Sequence, residues 1–184
     1  MNILAMKLFL SEDNIKRHIE HLREKRLKYS ILEKSIPQLE GKSINDIVRL
    51  NIDRNIKDEA ISLLWYIKSH ESFFNSFTEE HTKCDKVLAH YSSLESFLYD
   101  VYTEALEHNN GFLYIYLDRQ GKPRWIFSDK CEGAFIRYEP ILTLDLYEHV
   151  YYLDYGFQKK RFLHNALMYL NLSSLDNRSG KEYN

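Results

Sequence analysis

A chain of 184 residues with 44% hydrophobic content can bury a substantial core, as one domain or a small two-lobed unit. A net charge of −2 gives no electrostatic reason to expect a nucleic acid or an acidic membrane as partner. Two cysteines, Cys84 and Cys131, are too few for a disulfide framework and point to free thiols in a reducing compartment. The apolar run within Met1–Leu10 is broken by Lys7 and followed by acids. It is too short for a membrane span and has no small-residue cleavage site, so a cytoplasmic protein is expected.

Ser11 to Ser35 has the pattern of a helix, with Ser11 as N-cap and Glu12 and Asp13 in the first turn to complement the dipole. Ile15, Ile19, Leu22, Leu27 and Ile31 form its apolar stripe, and Pro37 ends it. His18 and His21 both lie in this helix. Ser43 and Asp46 form a capping box for a short helix through Leu50. A second long helix is predicted from Lys57 to Phe77, with Ala60, Leu63, Leu64 and Ile67 inward and His70 near its end. The stretch 79–88 is short and polar.

Ser92 and Glu95 form another capping box, opening a helix to about His108. Phe112 to Leu117 alternates aromatic and aliphatic residues, Asp118 to Gly121 is a turn, and Arg124 to Ser128 returns as a partner strand. Ile141 to Leu144 is a third strand. It delivers Asp145, followed four residues later by His149. A carboxylate and an imidazole at that spacing converge if the segment coils after Asp145, and mixed oxygen and nitrogen ligands suit a first-row transition metal. A last helix is predicted from Gln158 to Leu170, with Phe162, Leu163, Ala166 and Leu170 inward, and the polar tail after Ser173 is expected to fray.

The string Asp-x-x-Glu-His-x-Tyr-Tyr-x-x-Tyr after Pro-Ile-Leu-Thr-Leu resembles the C-terminal signature of the iron/manganese superoxide dismutases, usually Pro-Leu-Leu-x-x-Asp-Val-Trp-Glu-His-Ala-Tyr-Tyr. Asp145, Glu148, His149, Tyr151 and Tyr152 stand in matching places, with Tyr147 for the tryptophan. The run Ser11 to His18 is similar to the family's Ser-x-x-Thr-Leu-x-x-His, and Glu40 to Ile47 resembles a family segment whose spacing also leads back to His18. His21 is the alternative, because Tyr29 then falls where the family has its active-site tyrosine. With His18 as ligand, that tyrosine position is Arg26 and a second family histidine becomes Leu22. His70 matches the family's Asn-His-x-x-Phe/Tyr-Trp, with Phe74 for the tryptophan. The glutamine of iron forms is replaced by Tyr66; that of manganese forms falls near Ser128, Asp129 and Lys130.

The resemblance implies an α+β fold, an N-terminal long-helix hairpin (1–79) packed on a C-terminal α/β lobe (80–184) with a three-stranded antiparallel sheet, the polar stretch 79–88 replacing a glycine-rich connection of the family so that the boundary falls near residue 80. It implies one iron or manganese ion per chain on His18, His70, Asp145 and His149, cycling to convert superoxide to oxygen and hydrogen peroxide. Tyr29, Tyr66 and Tyr147, or His21, would replace the missing hydrogen-bond donors. It also implies a homodimer through Glu148 and His149. Two other readings remain open: a metal protein of this fold with a different redox or oxygen-linked activity, and a non-catalytic interaction module. His81, His90, His108 and His164 are expected to be surface or packing residues.

Overall fold

The computed structural model describes residues 3–80, 83–130, 135 and 138–178. Cys131 and His81 lie outside the described residues. After a short helix α1 (Ile3–Met6), the first long helix α2 (Glu12–Ser35) starts on Ser11, whose side chain accepts the Asn14 amide. Ile15 and Leu22 are buried, but Leu27 and Ile31 are 63% and 57% exposed. The predicted stripe of α2 therefore serves the core only in its first half; further along, Tyr29 and Leu32 pack inward instead, against the cluster of Leu39, Ile47 and Ala60. A 3-10 turn at Pro37–Leu39 follows, and then α3 (Ile44–Arg49) opens with the reciprocal Ser43–Asp46 capping box.

The second long helix, α4 (Arg54–Asn75), begins three residues before the predicted start because Asp53 caps it, accepting the amides of Asn55 and Ile56. Its inward face is Ala60, Trp65, Ile67, Ser69, His70, Phe73 and Phe74. Leu63 and Leu64, expected inside, are half-buried. α2 and α4 pack against one another, and α4 also packs on the third strand of the sheet. This places residues of both long helices beside that strand.

Beyond α5 (Asp85–Leu88), helix α6 (Leu94–Glu107) is capped by Ser93 through the Ser96 amide, one residue later than the predicted Ser92. Strands β1 (Phe112–Leu117), β2 (Pro123–Ser128) and β3 (Leu142–Asp145) form an antiparallel sheet ordered β2-β1-β3. Both β1 and β3 are almost wholly buried; the unbroken apolar run of β1 requires it, whereas β3 buries Thr143 and Asp145 alternating with Leu142 and Leu144. The β1–β3 register pairs Phe112 with Asp145 and Tyr114 with Thr143. At Gly111 (φ +122°) an added Cβ would stand 2.6 Å from the Ser128 carbonyl oxygen, so close packing of the hairpin base excludes a side chain there.

Helix α7 (Glu148–Tyr155) follows β3 at once, and α8 (Lys159–Met168) packs on both α6 and α7. Phe162, Leu163, Ala166 and Leu170 are all buried. The tail does not fray at Ser173. It forms α9 (Ser173–Asp176), held because the Asp176 carboxylate accepts the amides of Asp85 and Lys86 while Lys86 Nζ donates to the carbonyls of Leu175 and Asp176. No described helix is long and apolar enough to cross a membrane.

Candidate metal centre

Four side chains from four elements converge where α2, α4, β3 and α7 meet. His18 lies on the buried face of α2, its ring 5.6 Å from that of Phe73 and 5.2 Å from that of Phe74. His70 lies on the matching face of α4. Its Nδ1–H donates to the Tyr66 carbonyl at 2.8 Å, the ordinary helical back-bond, which leaves Nε2 as a bare lone pair facing inward. Asp145 ends β3, and its Oδ1 accepts the Tyr147 amide at 3.0 Å, the turn by which the chain enters α7. His149 follows in the first turn of α7.

Asp145 Oδ2 is the focus. It lies 3.4 Å from His18 Nε2, 3.3 Å from His70 Nε2 and 4.0 Å from His149 Nε2. Donors each about 2.1 Å from one ion stand about 3.0 to 4.2 Å apart, so these spacings suit a shared cation. One ligand atom from each residue lies within 4.8 Å of every other. Asp145 Oδ2, His70 Nε2 and both ring nitrogens of His18 are buried without a hydrogen-bond partner. Such atoms are rare in folded proteins because each forfeits its hydration. A cation among them supplies the missing partner, and the residues present therefore fit a metal ion.

The electrostatics agree. Burial pushes the His18 and His70 imidazoles down to about 3, so both are neutral and ligand-competent across the physiological range. His149 is lowered for the same reason, against the pull of Asp145. Burial raises the Asp145 carboxyl, partly offset by His70 and His149. A bound cation reverses that penalty on the carboxylate.

Around these four stands a second set of rings. The Tyr66 ring is 4.0 Å from that of His70, Phe112 is 5.1 Å from it, and Tyr147 is nearly parallel to His149 at 5.5 Å. Burial, then Asp145, raises both phenols, so Tyr66 and Tyr147 stay protonated and able to donate. His21 sits edge-on to Tyr66 at 5.5 Å and to His149 at 5.8 Å, while Lys25 Nζ lies 5.1 Å from the centre of the Tyr66 ring. Arg17, His21, His149 and Tyr152 line a groove of about 430 Å³ that reaches His18. Through it the site meets solvent, since the His149 side chain is 41% exposed.

A sequence model of iron/manganese superoxide dismutases, C-terminal domain, matches residues 70–178. The chain belongs to the iron/manganese superoxide dismutase family. No curated protein matches the chain. The matched segment contains His70, Asp145 and His149; His18 lies before it, and α2 brings that residue to the other three.

Within this family fold the remaining sequence candidates take distinct places. Tyr66 and Tyr147 border the cluster, whereas Tyr29 lies about 16 Å further along the α2 axis than His18. Its ring packs beside Leu39, Ile47 and Ala60, and its hydroxyl is buried without a partner. His21 stands at the rim, outside the cluster of four. Leu22 is buried in the core, and Arg26 is engaged with Glu71 at 2.7 Å. Sequence reasoning did not single out Phe73. Lys25 lies one turn after His21 and two after His18, on the same helical face.

Proposed function

We propose that this chain is a superoxide dismutase that uses one iron or manganese ion held by His18, His70, Asp145 and His149. The observation that carries the proposal is the convergence of four donor atoms within 4.8 Å, with Asp145 Oδ2 and the Nε2 atoms of His18 and His70 buried and unpaired. When bound, the ion supplies one-electron chemistry, oxidising one superoxide to oxygen and, once reduced, reducing a second to peroxide with two protons.

The chain's own residues would set the conditions for that cycle. Three neutral imidazoles and one carboxylate leave a divalent ion at net +1 and a trivalent ion at +2, small charges that a buried site tolerates. The Tyr66 carbonyl orients His70 and the Tyr147 amide orients Asp145, fixing the faces they present. Tyr66 and Tyr147, half-buried and protonated, would donate hydrogen bonds at the centre in place of the family's glutamine. Arg17 and Lys25 would favour entry of a small anion through the groove.

The proposal includes a homodimer with Glu148 and His149 at its interface. Next to His149, the Tyr152, Leu153 and Phe157 side chains form an exposed apolar patch in which Phe157 is 84% exposed. Tyr152 stacks edge-on against Phe157 at 5.3 Å. A second copy covering the patch would also close the groove over His149.

A specific observation favours a second reading, a metal protein with other redox chemistry. Leu22 and Arg26 stand where the family resemblance expects a histidine and a tyrosine, and both are committed to structural contacts. Metal analysis by mass spectrometry on wild type and His149→Ala, with a superoxide assay on both, separates the readings. The dismutase predicts about one iron or manganese per chain with activity, both lost in the variant. Metal without dismutation shifts the assignment to the second reading, and a wild type that binds no metal ends both.

A further inference from the structure

We infer that Ser72, Ser76 and Thr143 form a hydroxyl clamp that sets the register between α4 and β3, and thereby positions His70 against Asp145. The inference rests on the metal-site reading above and adds three positioning residues to it. β3 is an edge strand, paired with β1 on one side only. Its outward amides need partners that no neighbouring strand supplies. α4 covers that edge. Ser76 Oγ donates to the Ser72 carbonyl at 2.8 Å and accepts the Thr143 amide at 2.7 Å. One helical turn closer to His70, the Ser72 and Thr143 hydroxyls bond to each other at 2.6 Å.

The geometry couples this clamp to the metal ligands. Side chains two apart on a strand share a face, so Thr143 and Asp145 both project toward α4. On α4, Ser72 follows His70 by two residues. The contacts therefore run in order along the two elements: Ser76 and Ser72 on Thr143, then His70 Nε2 on Asp145 Oδ2 at 3.3 Å. A slip of β3 by one residue would turn both Thr143 and Asp145 away. The buried side chains of α4 around these contacts, Phe73 and Phe74, are apolar and carry little directional preference. Directional bonds at Thr143 decide which residue of β3 faces His70.

The test uses the full chain loaded with Mn(II), comparing wild type, Thr143→Val, Thr143→Ser and Ser72→Ala. Chelator competition gives the Mn(II) dissociation constant, and electron paramagnetic resonance reports the symmetry of the bound ion. Thr143→Val keeps shape and backbone amide but removes the hydroxyl bond. It is expected to weaken Mn(II) binding by about 10- to 100-fold, the usual effect of losing a group that orients a ligand, and to broaden the resonance. Ser72→Ala, at a half-buried position, removes the same bond from the other end and should match it. Thr143→Ser should restore both affinity and spectrum. Unchanged binding and spectrum in Thr143→Val and Ser72→Ala would overturn the clamp while leaving the metal site standing, as would failure of Thr143→Ser to restore them. A wild type that takes up neither Mn(II) nor Fe(II) would overturn both.

Discussion

His18, His70 and Asp145 are buried with coordinating atoms unpaired, whereas His21, Lys25, Tyr66 and Tyr147, one layer further out, are half-buried and lean on one another or on the ligands. The inner residues weaken the metal-free fold, because each unpaired polar atom has lost its hydration without return. The outer residues do not, since solvent or a neighbouring ring satisfies them. An inner position therefore tolerates almost no change if the ion is to bind. An outer position can be refilled with different chemistry at modest cost, as Tyr66 and Arg26 illustrate against the family pattern.

Substitution at Asp145 should break this contrast most strongly. In Asp145→Asn, metal content should fall from about one ion per chain to below about 0.1, because a neutral amide no longer balances the cation. The same variant without metal should be more stable than metal-free wild type by about 1 to 3 kcal/mol at neutral pH, measured by urea unfolding. A metal-free variant no more stable than wild type would mean that the carboxylate is not penalised in the fold.

Acid should expose the inner histidines next. His18 and His70 are depressed from about 6.5 in the unfolded chain to about 3 in the folded one. The unfolded state binds their protons first, so their contribution to metal-free stability is intact above pH 6.5 and lost as pH falls toward 3. Asp145, raised by burial, acts in the opposite sense and weakens the metal-free fold as pH rises past the ordinary carboxylate range. Replacing His18 by Leu should reduce the acid slope of stability by up to about 1.4 kcal/mol per pH unit, read from urea midpoints between pH 4 and 6.

Changes in the outer layer should be smaller and leave metal content alone. Tyr66→Phe keeps the ring against His70 and removes one donor, so the dismutation rate of the metal-loaded protein should fall about tenfold at unchanged occupancy, an effect of about 1.4 kcal/mol. Loss of metal in this variant would place Tyr66 with the inner residues. Lys25→Gln should have the least effect. It should lower the rate constant about two- to threefold at low ionic strength, with the difference vanishing at high salt, as expected for a charge that only steers an anion.

Much of the fold was legible in the sequence because its signals are local. Ser11 and the Ser43–Asp46 pair mark helix starts by chemistry that acts within one turn. The alternation from Phe112 to Leu117, the turn at Asp118 and the return strand define the hairpin without outside help. The Pro140–Gly156 string was enough to suggest the family, to which the match at 70–178 assigns the chain. What local signals could not say was which way a face points. Leu27 and Ile31 continue the stripe of α2 yet lie in solvent, because the elements packed on that part of the helix meet its other face, at Tyr29 and Leu32.

The same limit applies to the site. Sequence by itself determined the elements, the carboxylate and imidazole at Asp145 and His149, and the residue types available to join them. Between His18 and His21, less than one turn apart on one helix, spacing offered no decisive answer. The rotation of α2 against α4 turns His18 inward to Asp145 and leaves His21 at the rim. Tyr29 and Tyr66 were equally plausible donors by type; only Tyr66 lies on the face of α4 beside His70, whereas Tyr29 is carried about three turns away from His18. Those choices are set by the packing of α2 on α4 and α7, and of α4 on the edge strand β3. Packing depends on contacts between residues far apart in the chain, and only the tertiary structure contains them.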